Sequence, residues 1–356
     1  ETSTEFPPPD TSPAASAAPQ SAESAKLHAL FARNWSWIGE TFPEWATFRG
    51  DHRHGDRLTD NSAAGRAAQD AATKRWLGEA RAINRAQLAS ATDRVSLDLF
   101  IANHERSIEF FPFTGYRSLA IGSNDGMQSA LSGLLSVTPM DSRERAEQLL
   151  KRLAAVPGRM DDEIARLRVG AALGWAPTRE TLERALTQID RQLAPTVDDG
   201  PFYAPFKRLP ASMPEAEKRE LQTRGRAAVA QQVLPAMKKL RAFVADEYRA
   251  QAAASGAFAD YPGGVRVYEL LVRNQTTTDL TARQIHDIGG AELTRLRGQM
   301  EAVMKEVKFE GDFAGFVRFL DTDPRFAYAN ADALLAHYRE IGKRLDAEIP
   351  RLFAEL

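Results

Sequence analysis

The sequence predicts an all-α fold, a large multi-helix assembly, and three observations carry the prediction. Apolar residues recur at three- and four-residue spacing from about residue 25 onward. Alternating apolar and polar runs are rare, which leaves room for at most a minor hairpin. Helix-start and helix-stop residues punctuate the periodic stretches. No fixed-period repeat is present, which argues against a regular solenoid.

The elements follow in chain order. Residues 1–24, with Pro7-Pro8-Pro9, Pro13, Pro19 and many Ala and Ser, cannot bury enough apolar surface to offset their ordering entropy and read as a disordered tail. Residues 25–356 read as the helical domain. Leu27, Leu30, Phe31, Trp35 and Ile38 share one helix face, and Phe42-Pro43 breaks it. Gly50 to Asn61 is polar and reads as a loop. Asp141-Ser142-Arg143-Glu144 has the pattern of a capping box, with Glu144 reaching back to a free amide. Ala146, Leu149, Leu150, Leu153 and Val156 then form a face that Pro157-Gly158 is expected to end. Ile164, Leu167, Ala171 and Trp175 make the next face, and Leu182, Leu186, Ile189 and Leu193 a third.

Residues 195–214 hold Pro195, Pro201, Pro205, Pro210 and Pro214 and read as a long ordered loop packed through Phe202, Tyr203 and Phe206, where the domain could be subdivided. A long helix follows from Glu215 to Ala254, with a kink expected at Pro235. After Tyr261-Pro262-Gly263-Gly264 a helix resumes on Val265, Tyr268, Leu271 and Val272. Thr281-Ala282-Arg283-Gln284 is a second capping box, ahead of a helix carrying Ile285, Ile288, Leu296, Met300, Val303 and Val307. Phe313, Phe316, Val317 and Leu320 mark a short helix; Leu335, Tyr338, Ile341, Leu345, Ile349 and Leu352 mark the last.

Composition removes several functions. The formal net charge is -2, from 46 basic and 48 acidic side chains, so no basic excess exists for nucleic acid or anionic membranes. No apolar run approaches the roughly 20 residues that span a bilayer. With 0 cysteines, disulfides, Cys-ligated zinc and a thiol nucleophile are excluded. The start at Glu1 followed by a Pro/Ala/Ser tether is what removal of a secretory signal leaves, so export is expected; the alternative is a trimmed cytosolic parent.

The candidate sites are incomplete. Zinc peptidases place two histidines at i and i+4 with a glutamate after the first, so that both imidazoles share a helix face. Asn103-His104-Glu105-Arg106-Ser107-Ile108 begins that motif, but Ile108 stands where the second histidine belongs. His52 and His54, flanked by Asp51 and Asp56, are weak metal candidates, since Arg53 and Arg57 repel a cation; the alternative is a surface loop paired with neighbouring helices. Glu292 falls within the apolar stripe of Ile285, Ile288, Leu296 and Val303. It would line an internal cleft or form a buried salt bridge to an arginine of another helix. Tyr268 and Arg273 could present a phenol and a guanidinium to a substrate carboxylate, or could be packing and surface residues. Ile121 to Gln128 is a Gly-containing turn whose amides could receive an anion at a helix start, without the ending of a P-loop. No Gly-x-Ser-x-Gly elbow is present.

Several blocks occur in a characteristic order: Phe42-Pro43-Glu44-Trp45-Ala46-Thr47 into Gly50-Asp51-His52-Arg53, Ser123-Asn124-Asp125-Gly126, Arg166-Leu167-Arg168-Val169-Gly170, Phe202-Tyr203-Ala204-Pro205-Phe206, Tyr268 through Arg273, Thr276 through Thr281, Ile285-His286-Asp287-Ile288-Gly289, and Ile349-Pro350-Arg351-Leu352-Phe353. In this order they resemble a large bacterial family catalogued as a domain of unknown function, over nearly all of the chain after the tail. The resemblance implies an exported protein or lipoprotein, periplasmic in setting, with a shape similar to the channelled helical oligopeptidases. It also implies a downstream half carrying a His-Glu-x-x-Pro-Gly-His segment similar to the metal helix of zinc metallopeptidases. That segment is not found here. The expectation is therefore a substrate-channel or scaffold portion of a zinc-dependent peptidase for short peptides, inactive alone, with zinc belonging to the intact parent. Tyr268, Arg273 and Glu292 are its candidate substrate contacts. The alternative is a non-catalytic helical binding protein whose cleft is lined by Tyr203, Phe206 and Tyr268. Apolar helix faces meant for the missing half are expected to drive self-association, above all through the last helix.

Overall fold

The computed structural model describes residues 21–353. Residues 1–20 of the expected tail lie outside them; Ser21 is already a helix cap, its hydroxyl accepting from the Ser24 amide at 3.0 Å. The described residues are all-α, with only isolated bridges at Ile121–Gly126 and Thr178–Ala253. No described helix is long and apolar enough to cross a membrane.

Two compact units divide between Asp279 and Leu280. The proline-rich segment 195–214 lies inside the larger one. The helices of that unit are α1 (Ala22–Thr41), α2 (Pro43–Phe48), α3 (Ala63–Arg81), α4 (Ala91–Glu109), α5 (Thr114–Arg117), α6 (Met127–Val137), α7 (Arg143–Ala154), α8 (Val156–Ala172), α9 (Arg179–Leu193), α10 (Glu215–Ala228), α11 (Leu234–Ala242) and α12 (Gly264–Thr276).

The larger unit contains two cores. One joins α1, α3 and α4 through Leu27, Leu30, Ala72, Trp76, Ala80 and Leu97. The other runs from α6 to α11, and Phe202, Tyr203 and Phe206 of the proline-rich loop are buried in it. The expected apolar face is buried as read, from Ala146 on α7 to Val156 at the start of α8. Two local readings are corrected. Ser142, not Asp141, is the N-cap of α7, its hydroxyl accepting from the Arg145 amide, while Glu144 lies beside Gln148. Pro157 does not stop a helix; it opens α8, where its missing N–H would have had no partner anyway.

The long helix expected after Glu215 is segmented. A π-helical turn, Val229–Val233, separates α10 from α11, and a second, Phe243–Glu247, follows α11. Pro235 sits just past the first, where the Leu234 amide reaches back to the Val229 carbonyl. The wider turn accommodates a residue that cannot donate. In α12 the buried residues are Gly264, Val267 and Leu270, while Val265 and Tyr268 are exposed, so the expected face is rotated. Gly264 fixes this phase: a Cβ there would lie 1.7 Å from the Phe258 carbonyl oxygen, so only glycine lets the helix start against that strut.

The smaller unit contains α13 (Ala282–Glu306), α14 (Phe313–Thr322) and α15 (Ala331–Leu352). The Thr281–Gln284 capping box forms as read. Phe309, Phe316, Phe319 and Phe326 make an aromatic cluster, with Phe309 and Phe316 centroids 5.2 Å apart. Much of its apolar surface is uncovered: Ile288, Leu293, Leu296, Met300 and Val303 on α13, and Leu335, Tyr338, Ile341, Leu345 and Leu352 on α15, are exposed.

Candidate functional site

Within the larger unit, α2 and α6 wall a groove of about 350 Å³. Its apolar lining is Phe42, Trp45 and Phe48 from α2 and its cap, Leu58 from the following loop, and Met127, Leu131 and Leu134 from α6. Pro43 starts α2 with its φ already suited to a helix, so the short helix needs little else to hold it. Its aromatic side chains are displayed on the rim: Phe48 is 55% and Trp45 37% exposed, and Trp35 of α1, 52% exposed, lies beside Trp45 at 5.3 Å. Arg49 lies over both indoles, 4.7 Å from the Trp45 centroid and 5.6 Å from that of Trp35. Exposed aromatics next to a concave apolar lining are the usual makings of a ligand site.

Glu44, Thr59, Asn61 and Arg159 supply the polar part of the lining. The Glu44 carboxylate accepts from the Thr59 amide at 3.0 Å and from its hydroxyl at 2.5 Å, which pins the loop against α2. Asn61 donates to Glu163 at 2.9 Å. Glu163, only 5% exposed, also receives Arg159 and lies 3.7 Å from Arg166. Arg166 donates to the Arg117 carbonyl, and burial lowers its pKa below the ordinary guanidinium value. Asp162 is shifted the other way: burial, then the nearby Asp60, raises its carboxyl pKa. The groove thus rests on a buried ionic network in which one carboxylate serves two arginines and an amide.

The residues singled out in the sequence are elsewhere. The loop 51–57 is held by α7 through its carbonyls: Arg145 donates to the His52 carbonyl at 2.9 Å and Arg152 to those of His54 and Arg57. Burial, then Arg145, lowers the His52 imidazole pKa, and the Arg57 guanidinium lies against His54 at 3.2 Å. Arg53 pairs with Asp51 and holds its carboxyl at about 2. No group of three His, Asp or Glu among the described residues is placed to hold a metal ion. His104 bonds the Phe100 carbonyl at 2.7 Å and lies over the Phe100 ring.

Tyr268 is exposed on α12, 5.6 Å from the Phe258 ring, and Arg273 pairs with Glu109. Glu292 is neither in a cleft nor in a buried pair: it is exposed and paired with Arg295 one turn on, at 2.7 Å. Tyr203 and Phe206 are core residues, so they do not form a cleft with Tyr268. The turn at 121–128 is filled by its own Gln128 side chain, which donates to the Gly122 and Asp125 carbonyls. The groove residues were missed in the sequence. Arg159 and Glu163, one helical turn apart, were the available signal, and the exposed Trp45 and Phe48 within the short helix α2 were another.

Comparison with known proteins agrees with this architecture. A solved structure described as the "putative lipoprotein" from Colwellia psychrerythraea matches with a TM-score of 0.80 at 17% identity, over 92% of this chain and 59% of that one. The likeness is one of fold, and the chain spans about three fifths of that relative's length. No curated protein matches. The family model described as bacterial protein of unknown function, DUF885, matches residues 43–356. By that match over most of its length, the chain belongs to the DUF885 family of bacterial proteins.

Proposed function

We propose that this chain supplies the substrate-binding wall of an exported zinc-dependent peptidase acting on short peptides. The observation that carries the reading is the groove of about 350 Å³ between α2 and α6, large enough for an apolar side chain and bordered by Glu44, Asn61 and Arg159 for main-chain contacts. The zinc is implied by the family resemblance alone. The two candidate histidines do not suit it: His52 lies against the Arg145 and Arg152 side chains and His54 against Arg57. By that resemblance the ion would belong to a downstream metal segment of the family, and this chain alone is expected to show no zinc-dependent turnover. The greater length of the solved relative and its description as a lipoprotein are compatible with a longer, exported parent. Tyr268 and Arg273 on α12 are proposed as outer contacts for peptide within the larger unit, and Glu292 on α13 as a separate contact within the smaller one.

A second reading is a non-catalytic helical binding protein, favoured by the groove being complete within one unit. Full-length protein with zinc, incubated with a mixed peptide library, separates the two: cleavage that a chelator abolishes is expected, and binding without cleavage would leave the second reading. Calorimetric titration with peptides bearing a large apolar residue tests the groove itself. Phe48→Arg, at an exposed position of the lining, should weaken binding at least tenfold, and unchanged affinity would remove the groove from either function.

A further inference from the structure

Arg49 closes α2 at the rim of the groove. Its backbone N–H caps the helix on the Trp45 and Ala46 carbonyls, at 3.2 and 3.1 Å, and Gly50, at φ +85°, turns the chain behind it. The exposed side chain lies over two exposed indoles, those of Trp45 and Trp35. Trp45 lines the groove, so the guanidinium stands beside a ring of its wall. Four arginines of the groove and its surroundings are already neutralised. Arg53 pairs with Asp51 at 2.7 Å, Arg57 lies 3.6 Å from Asp56, and Arg159 and Arg166 share Glu163. Arg49 makes no ion pair with any of the described carboxylates.

A guanidinium stacked on an indole uses its face and leaves its N–H edge to solvent or to a ligand. The stack also restrains the side chain, so less rotamer freedom is lost when an acceptor docks. Such an edge matches a carboxylate, with two parallel N–H bonds to two oxygens. Beside it is the apolar lining of Trp45, Phe48, Met127 and Leu131. A ligand complementary to both carries a large apolar group next to a carboxylate, and the C-terminal residue of a peptide has the two on one Cα. Asn61, also in the lining, commits its Nδ2 to Glu163, and its amide oxygen is an acceptor for a peptide N–H, a donor that a fatty acid lacks.

We propose that the groove binds peptides by their C-terminal residue, with the apolar side chain between α2 and α6 and the terminal carboxylate on the Arg49 guanidinium. This rests on the groove being the peptide site proposed above, and adds the class of peptide it takes and the residue that selects it. The other charged groups of the lining do not suit the carboxylate: Arg159 is engaged by Glu163, and Glu44 would repel it.

The test is calorimetric titration of the whole chain with the peptide Ala-Ala-Phe as free acid and as C-terminal amide. The free acid should bind about tenfold more tightly, the worth of a hydrogen-bonded charge at an exposed site. Arg49→Gln should bring the two affinities together, and Arg49→Lys, which keeps the charge but not the fork, should keep part of the difference. Phe48→Arg should weaken the amide, which has no carboxylate to gain from the added cation. Ala-Glu-Phe amide and decanoate are the competing carboxylates, and both should bind more weakly than the free acid. Equal binding of free acid and amide would overturn the proposal and leave the groove as a peptide site, whereas binding of neither would remove both. A free-acid preference that survives Arg49→Gln, or decanoate or the Glu-bearing amide binding as tightly as the free acid, would also overturn it.

Discussion

Glu163 is where the ionic network beneath the groove is most sensitive. Glu163→Gln keeps the shape of the side chain and an acceptor for Asn61 but removes the negative charge. Arg159 and Arg166, whose side chains are 11% and 22% exposed, would then share a buried region with no carboxylate in contact. Removing one partner of a buried pair typically destabilises by about 3–5 kcal/mol. Partial exposure of Arg166 places the expectation at the lower end, about 3 kcal/mol, or a fall in Tm of about 6–12 °C for a unit of this size. Urea denaturation followed by circular dichroism measures it through the midpoint at unchanged slope. Glu163→Gln combined with Arg159→Met should recover part of the loss, since the second change removes a charge the first left unpaired. A single variant within about 0.5 kcal/mol of the parent, which is the range of ordinary surface substitutions, would refute the claim that this carboxylate neutralises the arginines. So would a double variant no better than the single.

Gly225→Ala should destabilise by about 2 kcal/mol, because its Cβ would lie 2.6 Å from three ring carbons of the buried Phe206, and this overpacking outweighs the gain of about 1 kcal/mol in helix propensity. Gly78→Ala in α3, where a Cβ meets nothing, should instead stabilise, and equal unfolding midpoints for the two variants would contradict the packing of the proline-rich loop. The Asp51 carboxyl should titrate near 2 by NMR, and Arg53→Gln should move it up toward 3.8. Because the folded-state value is depressed, the stability from this pair is present above 3.8 and is lost as pH falls through about 2. The uncovered faces of α13 and α15 should make this chain self-associate, with light scattering showing a mass that rises with concentration and that Tyr338→Glu with Leu345→Glu lowers; a mass independent of concentration would argue against it.

The helices were written in local signals, and most of them could be read. Ser142, Thr178 and Thr281 cap their helices through side chains that compete for free amides, and the periodic stretch from Ala146 to Ile189 is the stretch that builds the main core. The misreadings have tertiary causes. Pro157 is compatible with ending one helix or beginning another, and only the direct passage from Ala155 to Val156 decides between them. The face of α12 was set by the approach of Gly264 to Phe258, six residues away along a loop with no periodicity. The groove was invisible for a stronger reason. Periodicity tells which side of a helix avoids water, not which distant segment will cover it, and Glu44, Asn61, Met127 and Arg159 meet only because α2 packs on α6 and the loop between α2 and α3 is tied to α8 through Asn61 and Glu163.

The π turn at Val229–Val233 works as a phase adjuster. A π turn holds one residue more than an α-helix needs over the same length. Deleting that residue would let the rod rewind as uninterrupted α-helix and rotate everything beyond it by about 100°. Met237 and Leu240, now sealed in the core, would swing toward solvent, and Lys238 and Arg241 would be driven round with them. Chain length between Leu221 and Val244 is therefore constrained to the single residue: a substitution there changes a contact, whereas an insertion or deletion re-aims a whole helix.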